Sequence, residues 1–179
     1  EQGPVVYPTN PTERSVSMAI MVRGERPGDE AAIYRVTQAA FRGQPYAGGD
    51  EQELVDRLRK LGQISLSAVA VDGENLVGQV TFSPVQLSDG SAPWFGLGPI
   101  SVIPSRQGEG IGSQLIAFGL DEIEKMGALG CVLTGNPLYY QRFGFSLAPR
   151  NVPVEESAAF FQLKLLSGEG ADGLFSFHP

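Results

Sequence analysis

The chain has 179 residues, 42% apolar and 18% charged, with one Cys, one His and a net charge of −7. Apolar content of this order supports a folded core, and one Cys with one His supplies neither an internal disulfide nor a tetrahedral structural zinc site, so no metal is expected. The acidic balance disfavours nucleic acid as a partner, and no apolar run reaches the roughly 20 residues that span a bilayer, so a cytoplasmic protein with no membrane partner is expected.

Residues 1–17 carry Pro4, Pro8 and Pro11 among polar residues, without the basic and apolar regions of a signal peptide. They read as an irregular arm ahead of Met18, with residues 18–179 forming one domain. Residues 18–23 are a strand candidate. Asp29 is a plausible N-cap for a helix in which Ile33, Val36, Thr37 and Ala40 recur at helical spacing. A second helix starts at Asp50, with Glu53 placed as in a capping box. Its residues Leu54, Leu58 and Leu61 share a face, and Gly62 ends it. The Gly-rich residues 43–49 between the helices read as a mobile loop.

The period then changes to two. Residues 64–71 and 76–85 flank Asp72, Gly73, Glu74 and Asn75, a hairpin signal. In the second of these strands Leu76, Gly78, Val80 and Phe82 take one face, and Val77, Gln79 and Thr81 the other. A third strand over 93–103 contains Gly96, Gly98 and Pro99, which mark a bulge or a place where a ligand meets the backbone. After Pro104 a polar loop leads into a helix over 110–126, with Ile111, Leu115, Leu120, Ile123 and Met126 as its core stripe and Gly127 as its stop. Residues 129–133 form an unbroken apolar strand, buried on both faces. A helical turn at 137–142 follows, then strands at 143–147, at Phe161, Leu163 and Leu165, and at 174–177. The order β-α-α-β-β-β-α-β-α-β-β specifies an α/β protein with a mixed sheet.

The chemistry is concentrated between Ile100 and Leu115. A strand runs into a loop holding Gly108, Gly110 and Gly112, and that loop opens a helix. Converging amides and the positive helix end suit an anionic phosphate, and glycine lets its oxygens approach the backbone. A P-loop would need Gly-Lys-Ser/Thr, which is missing. A dinucleotide fingerprint would need Gly where Ser113 stands and an acidic residue where Thr134, Gly135 and Asn136 stand.

The segment resembles the pyrophosphate loop of the GCN5-related N-acetyltransferases (the GNAT family). The family's Gln/Arg-x-x-Gly-x-Gly/Ala signature is matched by Gln107, Gly110 and Gly112. Residues 132–145, VLTGNPLYYQRFGF, resemble the family's later motif ending in Tyr-x-x-x-Gly-Phe. The likeness covers residues 18–147, with a weaker tail through 177, and is similar to the YhbS-like subgroup. It implies the GNAT fold, a mixed central sheet flanked by helices, in which two splayed parallel strands ending near Ile103 and Leu133 hold acetyl-CoA as acyl donor. Backbone groups of Ile100, Ser101 and Val102 would pair with the pantetheine arm. Amides of Gln107, Gly108, Glu109, Gly110, Ile111, Gly112 and Ser113 would hold the pyrophosphate, and Asn136 and Tyr139 would contact the far side of the arm. Arg106 and Arg142 are expected to add positive charge to the local field.

The implied reaction is direct acetyl transfer to a primary amine, on a small molecule or a peptide. Tyr140, four residues before Gly144, matches the family's proton-donor position, and a phenol pKa of about 10 is close to that of a thiol. The alternative is that Tyr139 and Tyr140 only pack under the cofactor. No general base is assigned: residues 94–105 contain no carboxylate, and Asp50, Glu51 and Glu53 look at least as much like capping residues. Cys131 reads as a buried structural thiol rather than an acyl carrier. His178 would act only with the tail folded over the site. Trp94 reads as core more readily than as an acceptor-pocket wall. The missing base motivates a second reading, a non-catalytic acyl-CoA-binding or regulatory module. A nucleotide-binding protein using the same loop is a third. Exposed strands near the C-terminus would allow a homodimer.

Overall fold

The structure is a computed structural model that describes residues 20–45 and 47–177. The expectations for the 1–17 arm and for His178 therefore lie outside the described residues. The elements follow in the order β1 (Ile20–Gly24), α1 (Glu30–Phe41), α2 (Glu51–Lys60), β2 (Leu66–Asp72), β3 (Asn75–Leu87), β4 (Trp94–Val102), α3 (Ile111–Lys125) and β5 (Gly130–Thr134). A single helical turn α4 (Pro137–Tyr140) comes next, then β6 (Ser146–Leu147), β7 (Phe161–Leu165) and β8 (Phe175–Ser176). The sheet order is β1-β2-β3-β4-β5-β7-β6, with β8 paired to β3. β4 and β5 run parallel, whereas β1–β2, β5–β7 and β6–β7 are antiparallel, so the sheet is mixed. The parallel ladder joins Trp94, Phe95 and Gly96 to Gly130, Cys131 and Val132, although β4 continues to Val102 and β5 to Thr134. Among the described residues no helix is long and apolar enough to cross a membrane.

The described residues divide into two compact units, one over 20–62, 67–81 and 99–119, the other over 63–66, 82–98 and 120–177. In the first unit α1 buries Ile33, Val36, Thr37 and Ala40, the residues its spacing singles out. Val55, Ala68, Val69, Ala70, Val77, Val80, Ile111, Leu115 and Ile116 complete that core. A Cβ on Gly78 would stand 3.1 Å from Leu115 Cδ1 and 3.2 Å from both Ile111 Cγ2 and Ser101 O, so glycine lets α3 lie close against β3.

Both helix starts depart from expectation. Asp29 stands at the N-cap without a capping bond. Its carboxylate instead accepts from Arg23 Nη1 at 2.8 Å and from the Arg26 amide at 2.8 Å. The capping box at Asp50 does not form: Glu51 reaches back to the Gly48 and Gly49 amides at 2.8 and 3.1 Å, and Glu53 accepts the Tyr34 hydroxyl at 3.0 Å. α2 buries Gln52 and Val55, and Leu61, its C-cap residue beyond the last helical turn, is 66% exposed. Met126 is also exposed, since it lies beyond the last residue of α3 where Gly127, at φ +83°, turns the chain away.

In the second unit the core is aromatic. Trp94, Phe161 and Phe175 cluster with Val85, Leu87, Val132 and Ala148. The Trp94 ring meets Phe175 edge-on at 5.1 Å, and its indole N–H donates to Ser91 Oγ at 2.9 Å. At 1% exposure Trp94 is core, which removes it from any acceptor-pocket wall. A Cβ on Gly130 would fall 2.6 Å from both Lys164 O and Trp94 Cζ3, so β5 needs glycine there. The strand expected over 143–147 shortens to Ser146–Leu147, because Gln141–Phe143 forms a 3₁₀ turn closed by Gly144 in the left-handed region. The strand expected at 174–177 is β8, which pairs Ser176 and Phe175 with Gln86 and Leu87.

Candidate active site

The site begins in the C-terminal half of β4. Gly98 takes φ +139°, a conformation side chains rarely adopt, so the glycine marked in the sequence is required by backbone geometry. The Ile103 amide donates to Val77 O at 2.9 Å, and Gln107 Nε2 donates to Val102 O at 3.0 Å. Ile100 and Val102 are half-buried; Ser101 is buried. The turn Pro104–Arg106 then leads to Gln107 and Gly108, both exposed, and to the half-buried Glu109. Gly108 and Gly110 stand at φ +82° and +83°. A Cβ on Gly108 would meet nothing within 4 Å, so conformation rather than steric closeness demands glycine there. The buried Ile111 and half-buried Gly112 and Ser113 form the first turn of α3. That helix's first ladder bond runs from the Gln114 amide to Gly110 O at 3.1 Å. The amides of Ile111 and Gly112 precede the ladder, as they do in any helix start.

Arg106 does not add net positive charge to this loop. Its Nε donates to both Glu109 oxygens at 3.0 and 3.1 Å, and its Nη1 to Asp72 Oδ2 at 2.8 Å. Two carboxylates offset the guanidinium, which leaves the oriented amides and the helix end as the groups there suited to attract an anion. Under β4, a side-chain network joins Thr37, Gln79, Thr81 and Ser101, each 4% exposed or less. Gln79 Nε2 donates to Pro99 O at 3.2 Å and to Ser101 Oγ at 2.7 Å. Gln79 shares its face of β3 with Thr81, as the alternation assigns them, and Thr81 Oγ1 donates to Gln79 Oε1 at 3.1 Å.

In the second unit β5 ends at Thr134 and α4 begins with Pro137. Asn136 Oδ1 caps this turn by accepting the Leu138 amide at 3.0 Å. Tyr139 and Tyr140 are half-buried, their rings edge-on at 4.9 Å. Tyr140 also lies 6.1 Å from the Phe145 ring, and the Arg142 guanidinium sits 4.4 Å over Tyr139. Two residues of this corner escaped the sequence reading. A Cβ on Gly135 would fall 2.6 Å from Tyr140 Cε2, so only glycine lets that ring lie against the chain. Gln162 Nε2 donates to Gly135 O at 2.9 Å, holding the same peptide from β7. The usable signal was the Gly-Asn-Pro run directly after an apolar strand.

The other candidates are accounted for. Cys131 is fully buried, and burial pushes its thiol well above the ordinary value, which disfavours a thiolate acyl carrier. Glu51 and Glu53 are engaged by Gly48, Gly49 and Tyr34, as described. Among the described residues no group of three His, Cys, Asp or Glu side chains is arranged to hold a metal ion.

A profile for the acetyltransferase (GNAT) domain matches residues 21–148. The chain is 33% identical over 168 residues to the uncharacterized N-acetyltransferase YhbS of Escherichia coli strain K12, covering 89% of this chain and 96% of that protein. A GNAT-family acetyltransferase from Brucella melitensis, solved in complex with acetyl-CoA, superimposes with a TM-score of 0.79 at 42% identity, over 89% of this chain and 96% of that one. E. coli YhbS, solved in complex with CoA, superimposes with a TM-score of 0.81 at 31% identity, over 89% and 90% of the two chains. The match extends across the Gly108–Gly112 loop and the Tyr139–Tyr140 turn, and the mixed sheet agrees with it: the chain belongs to the GNAT family of N-acetyltransferases.

Proposed function

We propose that the protein uses acetyl-CoA to acetylate a primary amine by direct transfer, with Tyr140 as general acid. The observation that carries this reading is the loop from Gln107 to Gly112, with two positive-φ glycines and amides that precede the α3 ladder. The relatives solved with acetyl-CoA and CoA support assigning that loop to a CoA diphosphate. Amides of Gln107, Gly108, Glu109, Gly110, Ile111, Gly112 and Ser113 take the diphosphate oxygens, which suits an anion at a helix start. Main-chain groups of the segment Ile100, Ser101, Val102 pair with the pantetheine arm, and Asn136 and Tyr139 contact its far side.

In the transfer step the neutral amine nitrogen bonds to the thioester carbonyl carbon, the carbon–sulfur bond breaks, the Tyr140 hydroxyl gives its proton to the departing thiolate, and the proton lost by the nitrogen passes to water, from which the phenolate is reprotonated. Burial of Cys131 favours this direct route over an acyl-cysteine intermediate. A single domain over residues 18–179 and a cytoplasmic setting go with the proposal. The engaged state of Glu51 and Glu53 favours a second reading, an acyl-CoA-binding module without catalysis.

Calorimetry with acetyl-CoA, followed by a CoA-release assay across small amines and peptides, tests both. The proposal expects binding and CoA release with at least one amine. Binding without release on any amine supports the module, and a folded protein that binds no acetyl-CoA overturns both.

A further inference from the structure

The hydrogen bonds beneath β4 admit one order of protons. Thr37 gives its only hydroxyl proton to Ile33 O at 2.7 Å, so in its 3.1 Å contact with Ser101 the serine is the donor. Ser101, its proton spent, accepts from Gln79 Nε2 at 2.7 Å. The other N–H of that amide goes to Pro99 O at 3.2 Å, and Gln79 Oε1 accepts from Thr81 at 3.1 Å. The relay runs from β3 through β4 to α1, and all four side chains are shielded from solvent, so breaking any link leaves a buried polar group unpaired.

This relay grips β4 where the backbone holds itself least. Pro99 offers no N–H to a ladder, and Gly98 stands at φ +139°. Pro99 and Ser101 flank Ile100. The Ile103 amide points at β3, where it meets Val77 O, and main-chain groups alternate along a strand, so those of Ile100 and Val102 point the opposite way.

We infer that Gln79 is a positioning residue for the acyl donor: by holding Pro99 O and Ser101 Oγ, it aims the main-chain groups of Ile100 and Val102 that receive the pantetheine arm. This rests on the acyl-CoA reading above. Gln79 touches neither the donor nor the acceptor, and its amide moves no proton.

The test uses the full chain and two ligands: CoA, and adenosine 3′-phosphate 5′-diphosphate, which keeps the diphosphate but lacks pantetheine. Gln79→Met preserves side-chain length and removes both amide donors. It is expected to weaken CoA binding about tenfold and the nucleotide fragment by less than about twofold. Unchanged CoA affinity, or equal loss for both ligands, overturns the inference, because a general loosening of the fold does not distinguish the arm from the diphosphate. If Gln79→Met does not fold, Thr81→Val, which frees only Gln79 Oε1, replaces it, with an expected CoA-selective loss of about threefold and the same overturning results. Failure of the unaltered protein to bind CoA removes the acyl-CoA reading itself, and this inference with it.

Discussion

The two units are held together by different physics. The first keeps a polar relay at its centre, Thr81–Gln79–Ser101–Thr37, in which each bond has a fixed donor and a fixed direction. The second keeps an aromatic cluster, Trp94, Phe161 and Phe175, whose contacts are broad and tolerate small shifts. Hydrogen bonds lock a backbone in one geometry, and apolar packing contributes more free energy with less direction. The segment proposed to receive the pantetheine lies over the relay, where main-chain placement matters most. The tyrosine corner proposed for proton transfer belongs to the unit with the apolar core.

Substitutions that separate stability from function sharpen this contrast. Trp94→Ala should cost the most stability, about 3–5 kcal/mol, through the cavity it leaves against Phe175; urea unfolding measures it, and a cost below that of Thr37→Val would reverse the assignment of the main apolar core. Tyr140→Phe should lower turnover by about a hundredfold while leaving acetyl-CoA affinity nearly unchanged. Steady-state kinetics beside calorimetry resolve the two effects, and equal turnover would return Tyr140 to a packing role.

Thr37→Val should destabilise by about 1–3 kcal/mol by leaving the Ser101 hydroxyl unpaired, and Thr37→Ser should recover most of that loss. Recovery by serine separates a lost hydrogen bond from a packing defect.

The smallest effect concerns Asp29. Its bond to Arg23 holds its carboxyl below the ordinary carboxylate value. The stabilisation is fully present above that ordinary value and is lost as the pH falls through the lowered one. Asp29→Asn should therefore cost at most about 1 kcal/mol near neutral pH. Unfolding curves of mutant and parent should converge in acid, and a difference that persists there would show that the pair is not its source.

Much of the site was legible because its signals are local. The alternation of β3, the glycine loop and the tyrosine pair occupy adjacent positions, and the left-handed φ values at Gly108 and Gly110 are demands a residue type answers by itself. The capping roles expected of Asp29 and of Asp50 with Glu53 failed for the opposite reason. Arg23 competes for the first carboxylate, and Glu51, two residues nearer the loop than Glu53, takes the loop amides. Gln79 was visible only as a polar residue on a strand, and Gly135 only as a turn glycine.

The residue order alone determined the mixed α/β architecture, the glycine loop ahead of α3 and the family, because periodicity, glycine placement and short motifs are properties of neighbouring residues. The tertiary structure decided which charges are spent, as with Arg106 between Asp72 and Glu109, which aromatic side chains are core, and which way the protons run beneath β4. Those outcomes depend on partners as far apart as Thr37 and Ser101, 64 positions along the chain, which only folding brings within hydrogen-bond distance.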